Sequence, residues 1–119
     1  MRREIAILVL VLMSSVAAEA ADVNNQVNTF SPGSCETYLD ARFEKKTVFF
    51  KGWLSGWLSA HNRLMPDTYS LVVNDEQLDG PMQFMEDWCN DHPLEDFVAG
   101  AGALVDELYP KRQKEAPAP

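Results

Sequence analysis

The sequence predicts an all-α fold: a small four-helix domain stapled by one disulfide. Three observations lead there. Four segments place apolar residues at helical steps of three and four. Two cysteines, Cys35 and Cys89, lie in a chain that opens like an exported protein. The one run with strand character, Tyr69-Ser70-Leu71-Val72-Val73, has no visible partner, and an isolated strand is not stable. At 119 residues the chain supports a single domain.

Residues 1–20 read as a cleaved secretory signal. Met1-Arg2-Arg3 is a basic start, Ile5 to Met13 is an uninterrupted apolar run, and Ala18-Glu19-Ala20 fits a small-x-small cleavage site. The apolar run is too short to span a bilayer. The expected mature chain begins near Ala21 and resides in the periplasm or outside a bacterial cell. In that oxidising setting an even cysteine count reads as one bridge, Cys35–Cys89. It closes a loop that the chain-entropy model values at roughly 4 kcal/mol.

Residues 21–33 are polar and read as a flexible arm, and residues 34–109 as the helical domain. Ser34 is a candidate N-cap, with Glu36 in the first turn of a helix that runs through Cys35, Tyr38, Leu39 and Phe43. After Glu44-Lys45-Lys46, Thr47 can cap a second helix over 48–62, expected to be the central one. Phe49, Phe50, Trp53, Leu54, Trp57, Leu58 and His61 share one broad arc of it. Gly52, Gly56 and Ala60 form a small-residue row that would let another backbone approach.

Residues 64–80 read as irregular, packed by Tyr69, Leu71 and Val73. Pro81 suits the first turn of a third helix with Met82, Met85, Trp88 and Cys89 on one stripe, stopped by His92-Pro93. Pro93 in turn suits the start of a fourth helix over 93–108, with Leu94, Phe97, Val98, Ala101, Leu104, Val105 and Leu108 on its apolar face. Ala99, Gly100, Gly102 and Ala103 keep its other face thin. Contact between 48–62 and 93–108 is the expected main packing. Residues 110–119, basic and then Pro/Ala-rich, read as a disordered tail.

Net charge −8 argues against nucleic acid and anionic lipid surfaces as partners, and no membrane association is expected once the signal is removed. Sixteen of the eighteen acidic residues lie beyond residue 20, so the mature chain becomes a large cation near pH 2–3. No catalytic signature is present: there is no Gly-x-Ser-x-Gly, no phosphate-cradling loop and no His-Glu-x-x-His. No catalytic residue, metal ligand or cofactor is therefore assigned, and the chain reads as a non-enzyme. Asp87, Asp91, Glu95 and Asp96 lack the alternation and central glycine of a calcium loop and read as a solvated acidic face. His61, inside the apolar arc, reads as a core histidine with a possible role as a pH-sensitive group.

Three stretches together carry a family resemblance: Cys35-Glu36-Thr37-Tyr38-Leu39, the Trp-rich helix some 15 residues on, and Trp88-Cys89-Asn90-Asp91-His92-Pro93. Across residues 34–108 the chain resembles the HdeA/HdeB family of periplasmic acid-stress chaperones. The resemblance implies a four-helix fold, a single disulfide and a homodimer near neutral pH. It also implies a holdase that loosens in acid and offers apolar surface to unfolding clients. Phe49, Trp53, Trp57, Met82 and Trp88 are the expected client or partner surface. The Trp-Leu-Ser-Gly helix and the Asp91-His92-Pro93 corner are also similar to small periplasmic immunity proteins that neutralise type VI amidase effectors. That alternative implies an acidic surface closing over a secreted effector.

Overall fold

The computed structural model describes residues 21–119; the expected signal sequence lies outside the described residues. Four α-helices follow in chain order: α1 (Cys35–Phe43), α2 (Val48–Leu64), α3 (Asp79–Asp91) and α4 (Phe97–Leu108). A short 3-10 turn, Tyr109–Lys111, ends the series. Among the described residues there is no strand, only two isolated bridges, Ser34 with Asp96 and Ser70 with Gln113. The all-α class and the Cys35–Cys89 bridge stand, with the two Cα atoms 5.0 Å apart.

Three of the four helix starts have a side-chain cap. Ser34 caps α1, its side chain accepting from the Thr37 amide at 3.1 Å. Thr47 precedes α2 but makes no side-chain cap bond, contrary to expectation. Leu78 precedes α3 in the left-handed region (φ 57°), so Asp75 supplies the cap from outside the helix. Its two carboxylate oxygens accept from the amides of Asp79 (3.0 Å) and Gly80 (2.7 Å). Pro81 is therefore the third residue of α3 rather than the first. Helix α4 begins at Phe97, capped by Asp96, and not at Pro93. The reason is that Glu95 and Phe97 spend backbone groups on the start of α1 and on the end of the arm. Cys35 N–H donates to Glu95 O (2.9 Å) and Phe97 N–H to Gly33 O (3.1 Å). Leu94, placed on the apolar face by sequence, is fully exposed.

The core centres on three aromatic rings from three helices. Tyr38, Phe50 and Phe97 have centroids 4.8 to 5.1 Å apart in tilted and edge-on pairs, a geometry favoured by the ring quadrupole. Leu54, Leu58, Leu71, Met82, Met85, Ala101, Leu104, Val105 and the disulfide complete it. Helix α3 is the hub, pairing extensively with both α1 and α4. At the α3–α4 seam Gly100 is essential to the approach: a Cβ there would lie 2.6 Å from both Met85 Cε and Trp88 Cε3.

Helix α2 corrects the sequence reading. It is not a helix surrounded by neighbours. It buries a single i, i+4 strip, Phe50, Leu54 and Leu58, and its contact with α4 is less extensive than the α3 contacts. Gly52 and Gly56 have nothing within 4 Å of where a Cβ would be, so the small-residue row meets no backbone. Of the three residues expected to pack the 64–80 connection, only Leu71 is buried; Tyr69 and Val73 face solvent. The connection is held instead by hydrogen bonds, Leu71 N–H to Asn62 Oδ1 (2.8 Å) and the paired backbones of Ser70 and Gln113. Residues 110–113 thus belong to the fold rather than to a loose tail.

Candidate functional site

The half-covered face of α2 is the most distinctive surface of the molecule. Trp53 and Trp57, one turn apart, stack at 5.2 Å with an 18° interplanar angle, and His61 continues the row 4.3 Å from Trp57. Each is partly buried because α4 lies beside it: Trp53 meets Phe97 edge-on at 5.6 Å, and Trp57 Nε1–H donates to Ala101 O at 3.2 Å. Trp53 Nε1–H turns the other way and donates to Phe30 O in the arm at 2.7 Å. The arm from Asn28 to Phe30 and α2 enclose a shallow groove of about 410 Å³, lined by Gly52, Trp53, Gly56 and Trp57. The absence of side chains at the two glycines is what leaves this groove open.

Of the five residues expected to form a binding surface, three share this face and two do not. Phe49 is exposed at the start of α2, one turn before Trp53. Met82 is buried in the core, its backbone oxygen accepting from the Tyr38 hydroxyl at 2.6 Å. Trp88 packs on Gly100 at the α3–α4 seam. Met82 and Trp88 are therefore structural in the closed molecule.

His61 is half-buried, with Nδ1 2.8 Å from Trp57 O. Because the partner is a carbonyl, Nδ1 is the donor of that bond, which ties the ring to the preceding turn of α2. His92 repeats the arrangement, with Nδ1 2.8 Å from Trp88 O and its ring stacked at 4.1 Å. The repeated Trp-x-x-x-His spacing was readable in the sequence and was missed.

Three carboxylates join elements, and sequence reasoning had singled out only Asp96, as part of an acidic face. Glu86 accepts from Arg42 Nε (2.8 Å) and Nη2 (2.6 Å), tying α3 to α1. Partial burial opposes the Arg42 charge, but the bond to Glu86 and the neighbouring acidic charges outweigh it and hold the guanidinium above its ordinary value. Asp96 accepts from Ser31 Oγ (2.6 Å) and from Val98 N–H (2.9 Å), joining the arm to α4. Asp75 is the cap of α3 already described. Burial pushes the Tyr38 phenol up to about 12, so it stays a neutral donor.

A second cavity of about 330 Å³ lies between the polar strip of α2 and the 69–78 connection, lined by Ser55, Ser59, Asn62, Tyr69 and Glu76 among others. Ser59 Oγ donates to Ser55 O (2.7 Å), and neither hydroxyl has a histidine partner. Among the described residues no group of His, Cys, Asp and Glu side chains converges as a metal site, and no helix is long and apolar enough to cross a membrane. Charge is unevenly spread: between Leu64 and Pro110 there are eleven carboxylates and no Lys or Arg. Comparison with family models, curated proteins and solved structures returns no match.

Proposed function

We infer that the chain is a non-catalytic protein-binding module of the bacterial cell envelope, an acid-responsive holdase that exposes apolar helix surface at low pH. The observation that supports this most is the set of surface carboxylates joining elements around a half-covered aromatic face. Glu86 joins α3 to α1, Asp96 joins α4 to the arm, and Asp75 joins α3 to the preceding connection. Each of these contacts is charge-assisted, and Glu86 is the counter-charge of Arg42. In strong acid the chain as a whole passes from a net charge of −8 to a strongly positive one, and self-repulsion then favours looser states.

Loosening first frees the arm from Trp53 and widens the α2 groove, so Phe49, Trp53 and Trp57 form the initial client surface. Opening of the α3–α4 seam adds Met82 and Trp88. The disulfide is unaffected by acid and keeps α1 tied to α3, so the domain loosens without unravelling. The resemblance to HdeA/HdeB proteins points the same way and adds a neutral-pH homodimer to this reading.

The test is client aggregation at neutral pH and below about pH 3, with dye binding and near-UV dichroism on the same disulfide-intact protein. Suppression confined to acid, together with lost tertiary signal and dye binding, is the expected result. A protein that stays rigid and inert at both pH values ends this reading.

A second reading has its own support. The stretch from Leu64 to Pro110, with eleven carboxylates and no cation, suits a basic protein surface, as an immunity-type inhibitor of a secreted effector requires. Tight, salt-sensitive binding of one basic secreted protein to the rigid neutral-pH form distinguishes it from the holdase.

A further inference from the structure

The corner between α1 and α2 carries a different kind of surface. Glu44, Lys45 and Lys46 turn the chain tightly, with Lys45 in the left-handed region (φ 57°) and Lys46 N–H donating back to Ala41 O at 2.8 Å. Three large apolar side chains flank that turn, and all project into solvent: Phe43 is 91% exposed, Val48 86% and Phe49 68%. Scattered exposed apolar residues are ordinary, but three within seven positions of one rigid corner are not. Phe49 meets the buried Phe50 edge-on at 6.1 Å.

The charge around these residues is opposite in sign to the protein as a whole. From Asp40 to Lys51 the chain carries Arg42, Lys45, Lys46 and Lys51 against Asp40 and Glu44. Arg42 is committed to Glu86, and Lys46 stands only loosely near Glu44 at 3.8 Å. Lys51 contacts the neutral Gln77 (3.2 Å). The amines of Lys45, Lys46 and Lys51 are thus available to an outside anion. Net charge −8 had argued against anionic lipid for the whole chain, but association depends on the local field at the docking point.

We propose that this corner is a membrane-surface anchor that seats on an anionic bilayer, with Phe43, Val48 and Phe49 entering the headgroup boundary and Lys45, Lys46 and Lys51 meeting lipid phosphates. Exposed aromatic and aliphatic side chains with lysines close by in the same stretch of chain are the combination that interfacial binding uses, apolar burial plus attraction to anionic headgroups. A protein client offers no equal reason for the lysines. The anchor adds a location to the proposed chaperone role without depending on it.

The test is flotation of the disulfide-intact protein recovered from an exporting host, its N-terminus fixed by mass spectrometry, with phosphatidylcholine vesicles with and without phosphatidylglycerol. Phe43→Trp serves as a reporter whose emission moves to the blue when it enters lipid. Binding to the anionic vesicles at neutral pH, weakened by salt, is the expected result. Phe43→Ser with Val48→Ser lowers partitioning by about 30-fold. Lys45→Glu with Lys46→Glu lowers it by at least about tenfold on anionic vesicles and little on neutral ones. All four positions are exposed, and near-UV dichroism verifies that the variants keep the fold. Absence of vesicle binding at low salt overturns the proposal, as does binding that ignores the Phe43/Val48 change. It is also overturned if that change abolishes client holding while vesicle binding persists, which would give the corner to protein partners. Loss of vesicle binding with client holding intact separates this anchor from the holdase activity.

Discussion

Two helix faces in this protein are made of small residues, and they end in opposite situations. On α4, Gly100 lies where α3 presses closest, against Met85 and Trp88. On α2, Gly52 and Gly56 lie over open space and line a groove. A glycine in a helix interior costs about 0.5–1 kcal/mol relative to alanine. On α4 that cost is offset by close packing. On α2 no close contact among the described residues offsets it. A row of small residues permits close approach; the residues opposite decide whether approach happens.

The contrast can be tested from the closed side first. Reducing Cys35–Cys89 releases the link between α1 and α3 and should cost about 4 kcal/mol in urea unfolding. A loss under about 1 kcal/mol would mean that packing alone closes that side.

Tyr38 gives the next largest effect. Its folded value is raised from 10.0 to about 12, so the stability linked to its neutral form is whole below about pH 10 and is lost as pH rises toward about 12. The full loss is about 2–3 kcal/mol, and Tyr38→Phe should flatten that alkaline slope at the expense of the bond to Met82 O. An unchanged slope in the variant would place the alkaline sensitivity elsewhere.

The sharpest comparison is a single substitution made on both faces. Gly100→Ala drives a methyl into Trp88, a rigid ring, and should destabilise by about 1–3 kcal/mol. Gly56→Ala meets nothing and should stabilise by about 0.5–1 kcal/mol while narrowing the groove. Equal signs for the two changes in thermal unfolding would erase the distinction drawn between the faces.

Helix existence was legible because it is a local property. The spacing of Cys35 and Tyr38, of Met82, Met85 and Cys89, and of Phe97, Ala101, Leu104 and Val105 marked the buried stripes correctly. In the closed molecule Phe49, Trp53 and Trp57 share a face, whereas Met82 lies in the core and Trp88 at the α3–α4 seam. Periodicity says that residues lie on one side of a helix, not what lies against that side. The arm shows the same limit. Its polar composition suggested a free segment, yet the backbone carbonyls of Phe30 and Gly33, groups any loop possesses, accept from Trp53 and Phe97, and the Ser31 hydroxyl donates to Asp96.

By itself, then, the sequence determined the all-α class, the disulfide pair and the order of the four helices, because hydrophobic spacing, cysteine parity and capping residues act within a few positions of the chain. Only the tertiary structure decided which apolar stripes meet. It made α3 the hub, left α2 half covered, delayed α4 to Phe97 and drew residues 110–113 into the fold. Those outcomes depend on distances between segments far apart in the chain, where one glycine opposite a tryptophan closes a seam and two glycines with nothing opposite leave a groove.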